Sequence, residues 1–177
     1  MARSRPQPAR DGTDPLMPAP DRVQDPAARL QHALDLSYRY LSRRDRTVLE
    51  VRRHLESKRV EPATIEAALA ELADQRYLDD LRYATVFAED RRNLDGWGVE
   101  RIERKLAAVG VPDEIVVEVL GERTKEEELD AALGILQRKL REPPADERGR
   151  EKALGLLVRR GYELDLAYSA VRAFERG

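Results

Sequence analysis

Cysteine is absent from this 177-residue chain, and aromatic residues make up only 5% of it. Without cysteine the chain can form neither a disulfide framework nor a thiolate site. The apolar surface available for burial therefore comes mainly from leucine, valine, isoleucine and alanine, which favours thin helical packing over one large core. No apolar run approaches the roughly 18–20 residues of a membrane span, and no signal-peptide pattern opens the chain. We therefore expect a soluble, cytoplasmic protein without membrane contact.

A strong net charge and a catalytic pattern are also lacking. The 32 basic and 34 acidic residues leave a formal charge of −2, so any basic surface must be local. The two histidines, His32 and His54, fall in different predicted helices, and the acidic runs 79–80 and 126–128 begin helices whose dipoles explain them. The Gly-Trp-Gly run at 96–98 lacks the Lys-Ser/Thr of a P-loop. We therefore predict no enzyme, with no catalytic, cofactor-binding or metal residues and no cofactor.

The chain does contain a repeat with a period of 51 residues. Leu55, Leu106 and Leu157 recur at this spacing. Four further sets keep the same register: Val51, Ile102 and Ala153; Arg59, Gly110 and Gly161; Val60, Val111 and Tyr162; Thr47, Gly98 and Gly149. Five positions in register across three copies indicate a tandem repeat.

Each copy has the pattern of three short helices. In the central copy, Tyr83, Val86 and Phe87 are spaced to share one buried face. The breaker cluster 93–98 then precedes a second amphipathic helix, which Gly110 ends as a left-handed residue. We predict an all-α fold of three tandem three-helix modules, nine helices in total.

Composition and helix signals predict the boundaries of these modules. Residues 1–26 hold six of the ten prolines and no periodic apolar pattern, so we expect a disordered N-terminal tail. The three-helix modules are predicted at 27–78, 79–122 and 123–177. In the first module Thr47 and Glu50 fit a capping box.

The only tryptophan, Trp97, lies in the breaker cluster of the central module. We interpret Trp97 as the side chain that locks the turn against its own module. A partner-binding anchor is the alternative.

Clusters of arginine and lysine form the candidate binding surface. A guanidinium donates two parallel hydrogen bonds to a phosphate or carboxylate, which suits arginine to both groups. The candidate residues are Arg44, Arg46, Arg52, Arg53, Arg91, Arg92, Arg101, Arg104, Lys105, Arg159 and Arg160. Arg92 and Arg160 lie in predicted last turns, where the helix dipole favours cations without any ligand, so a structural interpretation stays open for them.

The central module resembles the central motif of the RecX regulatory proteins. The resemblance rests on Tyr77-Leu78-Asp79-Asp80, the aromatic pair Tyr83 and Phe87, Arg91, the Gly-Trp-Gly turn, Arg101-Ile102, and Leu106 to Gly110-Val111. The first module agrees through Arg44, Arg46, Thr47, Glu50, Val51 and Leu55, and the run 159–162 is similar to the family's C-terminal signature. One departure is Arg59, which stands where the pattern has glycine.

The resemblance implies an elongated, curved, monomeric protein that binds the RecA recombinase filament on single-stranded DNA along its groove. Such a protein limits RecA's ATP hydrolysis, strand exchange and coprotease activity without catalysis of its own, and it acts in homologous recombination, DNA repair and the SOS response. A weak direct contact with DNA is left open. The alternatives are a helical nucleic-acid-binding protein that acts through its arginine clusters without RecA, and a helical scaffold for an unrelated protein.

Overall fold

A computed structural model describes residues 25–176, so most of the predicted tail 1–26 lies outside the described residues. Residues 25–176 form nine α-helices and no strand. The helices are α1 (Pro26–Leu41), α2 (Val48–Ser57), α3 (Pro62–Asp74), α4 (Asp80–Asp90), α5 (Val99–Ala108), α6 (Asp113–Gly121), α7 (Lys125–Lys139), α8 (Glu147–Val158) and α9 (Leu164–Arg176). No helix in this part of the chain is long and apolar enough to cross a lipid bilayer.

The helices pack in three consecutive groups, α1–α3, α4–α6 and α7–α9, and each group encloses its own hydrophobic core. The repeated leucines, Leu55, Leu106 and Leu157, lie at the centres of these cores and are fully buried. The prediction of three tandem three-helix modules is confirmed. The 51-residue period is therefore the period of the middle helices, α2, α5 and α8, whose buried faces carry it.

Side-chain caps explain where several helices begin. Thr47 and Glu50 form the predicted capping box at the start of α2, and Thr124 and Glu127 form a second one at the start of α7. In both boxes the threonine oxygen and the glutamate carboxylate each accept a backbone N–H that has no partner within the helix. At α8 the Asp146 carboxylate accepts the Gly149 N–H at 2.7 Å.

Two local predictions in the second and third modules are wrong. Val86 was predicted to face inward, but it is 49% exposed, and the small residues Ala84 and Ala88 fill the buried face of α4 instead. The sequence pattern also predicts that the middle helix of the third module begins at Lys152, whereas α8 begins at Glu147, because the Asp146 cap allows an earlier start. The predicted breaker cluster 93–98 does separate α4 from α5, and its first residues belong to a π-helical turn, Arg91–Asp95, which follows α4 directly.

Each middle helix ends in a left-handed residue. Gly110, as predicted, and Gly161 have φ angles of 79° and 86° after α5 and α8. Arg59 has a φ of 60° after α2, so it takes the same conformation at the strain that a side chain incurs there. The three helix ends are thus alike in backbone conformation although one of them is not glycine.

The modules meet where one middle helix ends and another begins. At the first junction the Thr47 hydroxyl donates to the Val109 carbonyl at 2.6 Å. At the second junction the Gly98 N–H donates to the Arg160 carbonyl at 2.9 Å, and the Glu100 N–H donates to the Gly161 carbonyl at 3.1 Å. The C-terminal end of α8 therefore contacts the N-terminal end of α5, and the C-terminal end of α5 contacts the N-terminal end of α2. We call this arrangement the row of middle helices.

A carboxylate from the second module also caps the first module. Asp80 was interpreted from sequence only as an acidic residue at the start of α4, and Asp79 does cap that helix by accepting the Arg82 N–H at 2.8 Å. The Asp80 carboxylate instead accepts the Val48 N–H at the start of α2, at 3.0 Å. Burial raises the pKa of Asp80, while this hydrogen bond favours its charged form.

Candidate anion-binding surface

The candidate cations do not form one surface, because several of them are engaged within their own modules. Both Arg44 and Arg46 pair with Glu50. Two further ion pairs join Arg52 to Glu66 and Arg91 to Asp95. These four arginines have intramolecular partners, so a ligand that recruited them would have to compete with a carboxylate.

Arg46 is also part of an aromatic stack that the sequence analysis did not find. Its guanidinium lies 4.2 Å from the centroid of the Tyr40 ring, and the Tyr40 ring stacks on the His54 ring at 4.1 Å. Burial, with a smaller effect from Lys58 and Arg46, lowers the pKa of the His54 imidazole. A neutral imidazole does not repel the neighbouring guanidinium. Because Tyr40 lies on α1 and His54 on α2, the stack joins these two helices.

Arg92 and Arg160 brace the junction between the second and third modules. The side chain of Arg92 is only 9% exposed, and its Nε lies 3.9 Å from Oε1 of the buried Glu128. Arg123 approaches the same oxygen at 3.5 Å. The Arg160 guanidinium donates to the Asp95 carbonyl at 3.3 Å. These contacts join α7 and α8 to the π-helical turn, which agrees with a structural interpretation of both arginines.

The buried Glu128 predicts a specific pH dependence of stability. Burial raises the pKa of its carboxyl, although Arg123 and Arg92 oppose the rise. Between the ordinary carboxyl pKa and the raised one, the folded protein therefore binds more protons than the unfolded chain, and the free energy of unfolding rises as the pH falls through this window. We expect Glu128→Gln to reduce this slope, by less than the limit of about 1.4 kcal/mol per pH unit for one proton. Urea titrations of both proteins between about pH 4 and 7 measure the slopes, and parallel curves would contradict the assignment.

Four of the remaining candidates line one open groove together with Ala108: Arg101, Arg104, Lys105 and Arg159. We call these residues the cationic groove. The first three cations lie on α5 and Arg159 follows α8, so the groove crosses the junction between the second and third modules. No ion pair within residues 25–176 involves any of the four cations. Their charge is therefore available to an external anion.

The orientation of Arg101 in the cationic groove is fixed by two contacts. Its guanidinium lies 4.0 Å from the centroid of the Trp97 ring, and its Nη1 donates to the Arg159 carbonyl at 3.1 Å. Arg104 donates from Nε to the Glu100 carbonyl at 3.1 Å. Each guanidinium keeps further N–H groups for a ligand, since arginine has five donors. The groove suits phosphate or carboxylate groups, which arginine forks recognise.

Trp97 packs against the core of its own module, as predicted. Its ring lies edge to face with the Phe87 ring, at a centroid distance of 6.3 Å, and it supports Arg101 on the side of the cationic groove. Trp97 thus contributes both to the core and to the orientation of a candidate binding residue. The sequence interpretation identified the first contribution and missed the second.

Replacing Trp97 with alanine is expected to lower the free energy of unfolding by about 2–3 kcal/mol. This is less than the ~3–5 kcal/mol of a fully buried aromatic side chain, because the Trp97 ring is only partly buried. Urea unfolding followed by far-UV circular dichroism measures the effect. Unchanged stability combined with lost partner binding would contradict this account and make Trp97 an interface anchor.

A second concave surface lies beside the first junction and was not predicted. It is lined by Tyr38 and Tyr77 together with the cations Arg76 and Arg82. The two tyrosine rings meet edge to face at 5.1 Å, and Tyr77 is 54% exposed.

Arg53, the remaining candidate, is exposed on α2 and takes no part in an ion pair within the described helices. The cationic groove is therefore the place where the fold brings most of the available candidate cations together.

Comparison with family models matches all three modules. Models of the first, second and third three-helix domains of RecX match residues 33–72, 79–120 and 126–171. A regulatory protein RecX from Bacillus cereus (strain AH820) is 33% identical over 129 residues, which are 72% of this chain and 48% of that protein. A second, from Bacillus velezensis, is 28% identical over 148 residues, which are 82% of this chain and 56% of that protein. The chain thus spans about half the length of the curated relatives that it matches.

Two solved structures share the fold. A crystal structure of RecX from Lactobacillus salivarius superposes with a TM-score of 0.74 at 19% identity, over 85% of this chain and 99% of that one. A crystal structure of a regulatory protein RecX superposes with a TM-score of 0.67 at 22% identity, over 84% of this chain and 73% of that one. Because both sequence identities are below 25%, these superpositions show only that the helices of the described residues share a fold with the two structures.

Proposed function

This chain belongs to the RecX family of regulatory proteins, and we propose that it regulates the RecA recombinase by binding the RecA filament on single-stranded DNA. The observation that carries the proposal is the cationic groove, in which four cations that form no ion pair within residues 25–176 lie on two successive modules. A DNA-containing filament presents phosphates along its length. A groove that crosses a module junction can follow such a row of anions.

The modular fold supports binding along a filament. In a quasi-linear repeat protein each module contacts mainly its neighbours, so successive modules can face successive sites on a partner. Modest contacts that are joined in one chain add through their effective concentration. We infer that the protein acts as a cytoplasmic monomer that lies in the filament groove.

Inhibition in this proposal needs no chemistry by the regulator itself. A ligand shifts a conformational equilibrium only by its differential affinity for the two states. A protein bound across several RecA protomers would favour the filament conformation that fits its modules. We propose that this reduces ATP hydrolysis, strand exchange and coprotease activity without catalysis by the regulator.

We assign proposed roles to the candidate residues from the contacts described above. We propose that the cations of the cationic groove contact the filament, and that Arg53 on α2 adds a contact from the first module. The remaining candidates hold the fold through the ion pairs and stacks described above: Arg44, Arg46, Arg52, Arg91, Arg92 and Arg160.

Direct binding to nucleic acid without RecA is the second candidate function. The same cationic groove favours it, because cations that face solvent attract phosphates whether or not RecA is present. The two functions differ in how affinity depends on RecA and on salt. A site that neutralises four phosphates of a single strand should lose affinity with a log–log salt slope of about −3.

Fluorescence anisotropy with a labelled single-stranded oligonucleotide separates the two functions. The protein is titrated into the bare oligonucleotide and into the oligonucleotide coated with RecA, over a series of salt concentrations. We expect substantially tighter binding to the coated strand, with bare-strand binding that disappears as salt rises. Equal affinity for both forms throughout the series would support the second function and contradict the first.

A further inference from the structure

The two module junctions lie at equivalent positions of the 51-residue repeat, and each brings the glycine after one middle helix into close contact with the neighbouring middle helix. A Cβ atom on Gly161 would lie 2.3 Å from the Cβ of Arg101 and 2.5 Å from its backbone nitrogen. A Cβ atom on Gly110 would lie 2.0 Å from Cδ2 of Leu49. Such distances are far below van der Waals contact, so a side chain at either position is incompatible with the junction as it stands.

The C-terminal end of α2 lies at the same position of the repeat, but within residues 25–176 no further module is packed on it. Its carbonyl groups on Lys58 and Arg59 correspond to those on Arg160 and Gly161, which accept the N–H groups of α5. Within residues 25–176 the Lys58 and Arg59 carbonyls accept no hydrogen bond outside a helix. In place of glycine, this end carries the exposed Arg59 in the left-handed conformation. The Arg59 side chain thus occupies the space into which another module would have to pack.

The N-terminal end of α8 is the opposite half of such a junction, and its own chain covers it. The Gly149 N–H lies at the same repeat position as the Gly98 N–H, and it donates to the Asp146 carboxylate of its own module at 2.7 Å. Pro144 packs on the same turn, since a Cβ on Gly149 would lie 3.0 Å from Cβ of Pro144. The loop before α8 therefore fills the position that the end of a further middle helix would take.

We propose that the two ends of the row of middle helices are complementary halves of a head-to-tail interface between copies of this chain. Arg59 blocks one half, and Pro144 and Asp146 block the other. A head-to-tail contact that does not close on itself produces open-ended polymers, so a repeat protein needs such terminal blocks. One further consequence rests on the function proposed above: copies should add to the RecA filament independently, without contacts between neighbouring copies.

Complementary variants test the interface without RecA. Arg59→Gly removes the side chain that blocks the C-terminal end of α2, and the double change P144G/D146G removes the side chains that block the N-terminal end of α8. Glycine is chosen at 146 because it is nearly as good an N-cap as aspartate, which keeps α8 folded. The average molar mass is measured by sedimentation and by light scattering up to submillimolar concentration.

Each variant alone should remain at the monomer mass of 20.2 kDa, because each has only one open end. Mixing the two should give a one-to-one complex and nothing larger, whereas the triple variant R59G/P144G/D146G should polymerise. The matched control is Arg76→Gly, which removes the chain's other non-glycine left-handed residue within the described part but lies after α3, outside the row. A mixture of R76G with P144G/D146G should stay monomeric.

Far-UV circular dichroism establishes that all variants keep their helices. Folded R59G and P144G/D146G that remain monomeric when mixed would overturn the proposal. Association of the R76G control to the same extent would also overturn it. Because no arm contains RecA or DNA, failure here leaves the proposed function intact, and failure of that function leaves this result intact.

Discussion

Removing the charge of the cationic groove is expected to weaken binding to RecA-coated single-stranded DNA about 100-fold, if each of four lost contacts contributes about 0.7 kcal/mol. The variant is R101Q/R104Q/K105Q/R159Q. Glutamine keeps part of each side-chain stem, so the packing of residue 101 on Trp97 is preserved better than with alanine. The affinity is measured by anisotropy, and its salt dependence should become shallower, because fewer counterions are released on binding.

The matched control removes four exposed cations that lie outside the groove and form no ion pair in the described part of the chain: R138Q/K139Q/R141Q/R172Q. Both variants change the net charge equally, so a general electrostatic effect would weaken them alike. We expect the control to bind within a few-fold of the unmodified protein. Equal losses in the two variants would contradict a specific role of the cationic groove, even if the protein does bind the filament.

Gly161→Ala is expected to lower the free energy of unfolding by about 2–4 kcal/mol, the second large effect. The left-handed conformation costs an alanine about 1–2 kcal/mol, and the rest comes from the clash with the backbone of Arg101. The damage should concentrate at the second junction, where Gly161 contacts α5. Urea unfolding followed by both circular dichroism and Trp97 fluorescence measures it, because the single tryptophan reports on the central module.

Gly134→Ala is the matched control, with the same change in the middle of α7. An added Cβ at 134 meets only the flexible end of Arg138, at 3.6 Å. Alanine in a helix interior should therefore stabilise the protein, by about 0.5–1 kcal/mol. The opposite signs of two identical substitutions test the junction geometry. If Gly161→Ala were as stable as Gly134→Ala, the close approach of α8 to α5 would be wrong.

The sequence predicts the modules well because large buried residues carry the repeat. Leu55, Leu106 and Leu157 keep their spacing since each fills the centre of a separate core. The failure at Val86 has a physical reason as well. Periodicity groups side chains on one helix face but does not fix which face is buried, and at α4 the buried positions are those of Ala84 and Ala88.

The junctions and the candidate surface could not be predicted from the sequence in the same way. Asp80 has the pattern of a residue at a helix start, and only the fold places its carboxylate on Val48 of the preceding module. Arg91 and Arg101 look equivalent as surface cations, yet one pairs with Asp95 and the other lines the groove. Such differences depend on which helices meet, and helical periodicity carries no information about that.

The structure explains why the first copy of the repeat has Arg59 where the other two copies have glycine. From the sequence alone, the difference between Arg59 and the glycines at the same repeat position, Gly110 and Gly161, has no explanation. In the structure those two glycines contact another module, whereas no other module within residues 25–176 packs on Arg59. The mismatch therefore coincides with the end of the row, where a close backbone approach is not needed.

Titration of this protein into a RecA ATPase assay with single-stranded DNA tests the central claim most directly. The account predicts that the unmodified protein and the R138Q/K139Q/R141Q/R172Q control inhibit ATP hydrolysis at the same concentration. The variant of the cationic groove should require about 100-fold more protein, in parallel with its weaker binding. An ATPase rate that stays unchanged while the protein saturates the filament would contradict the claim that it regulates RecA.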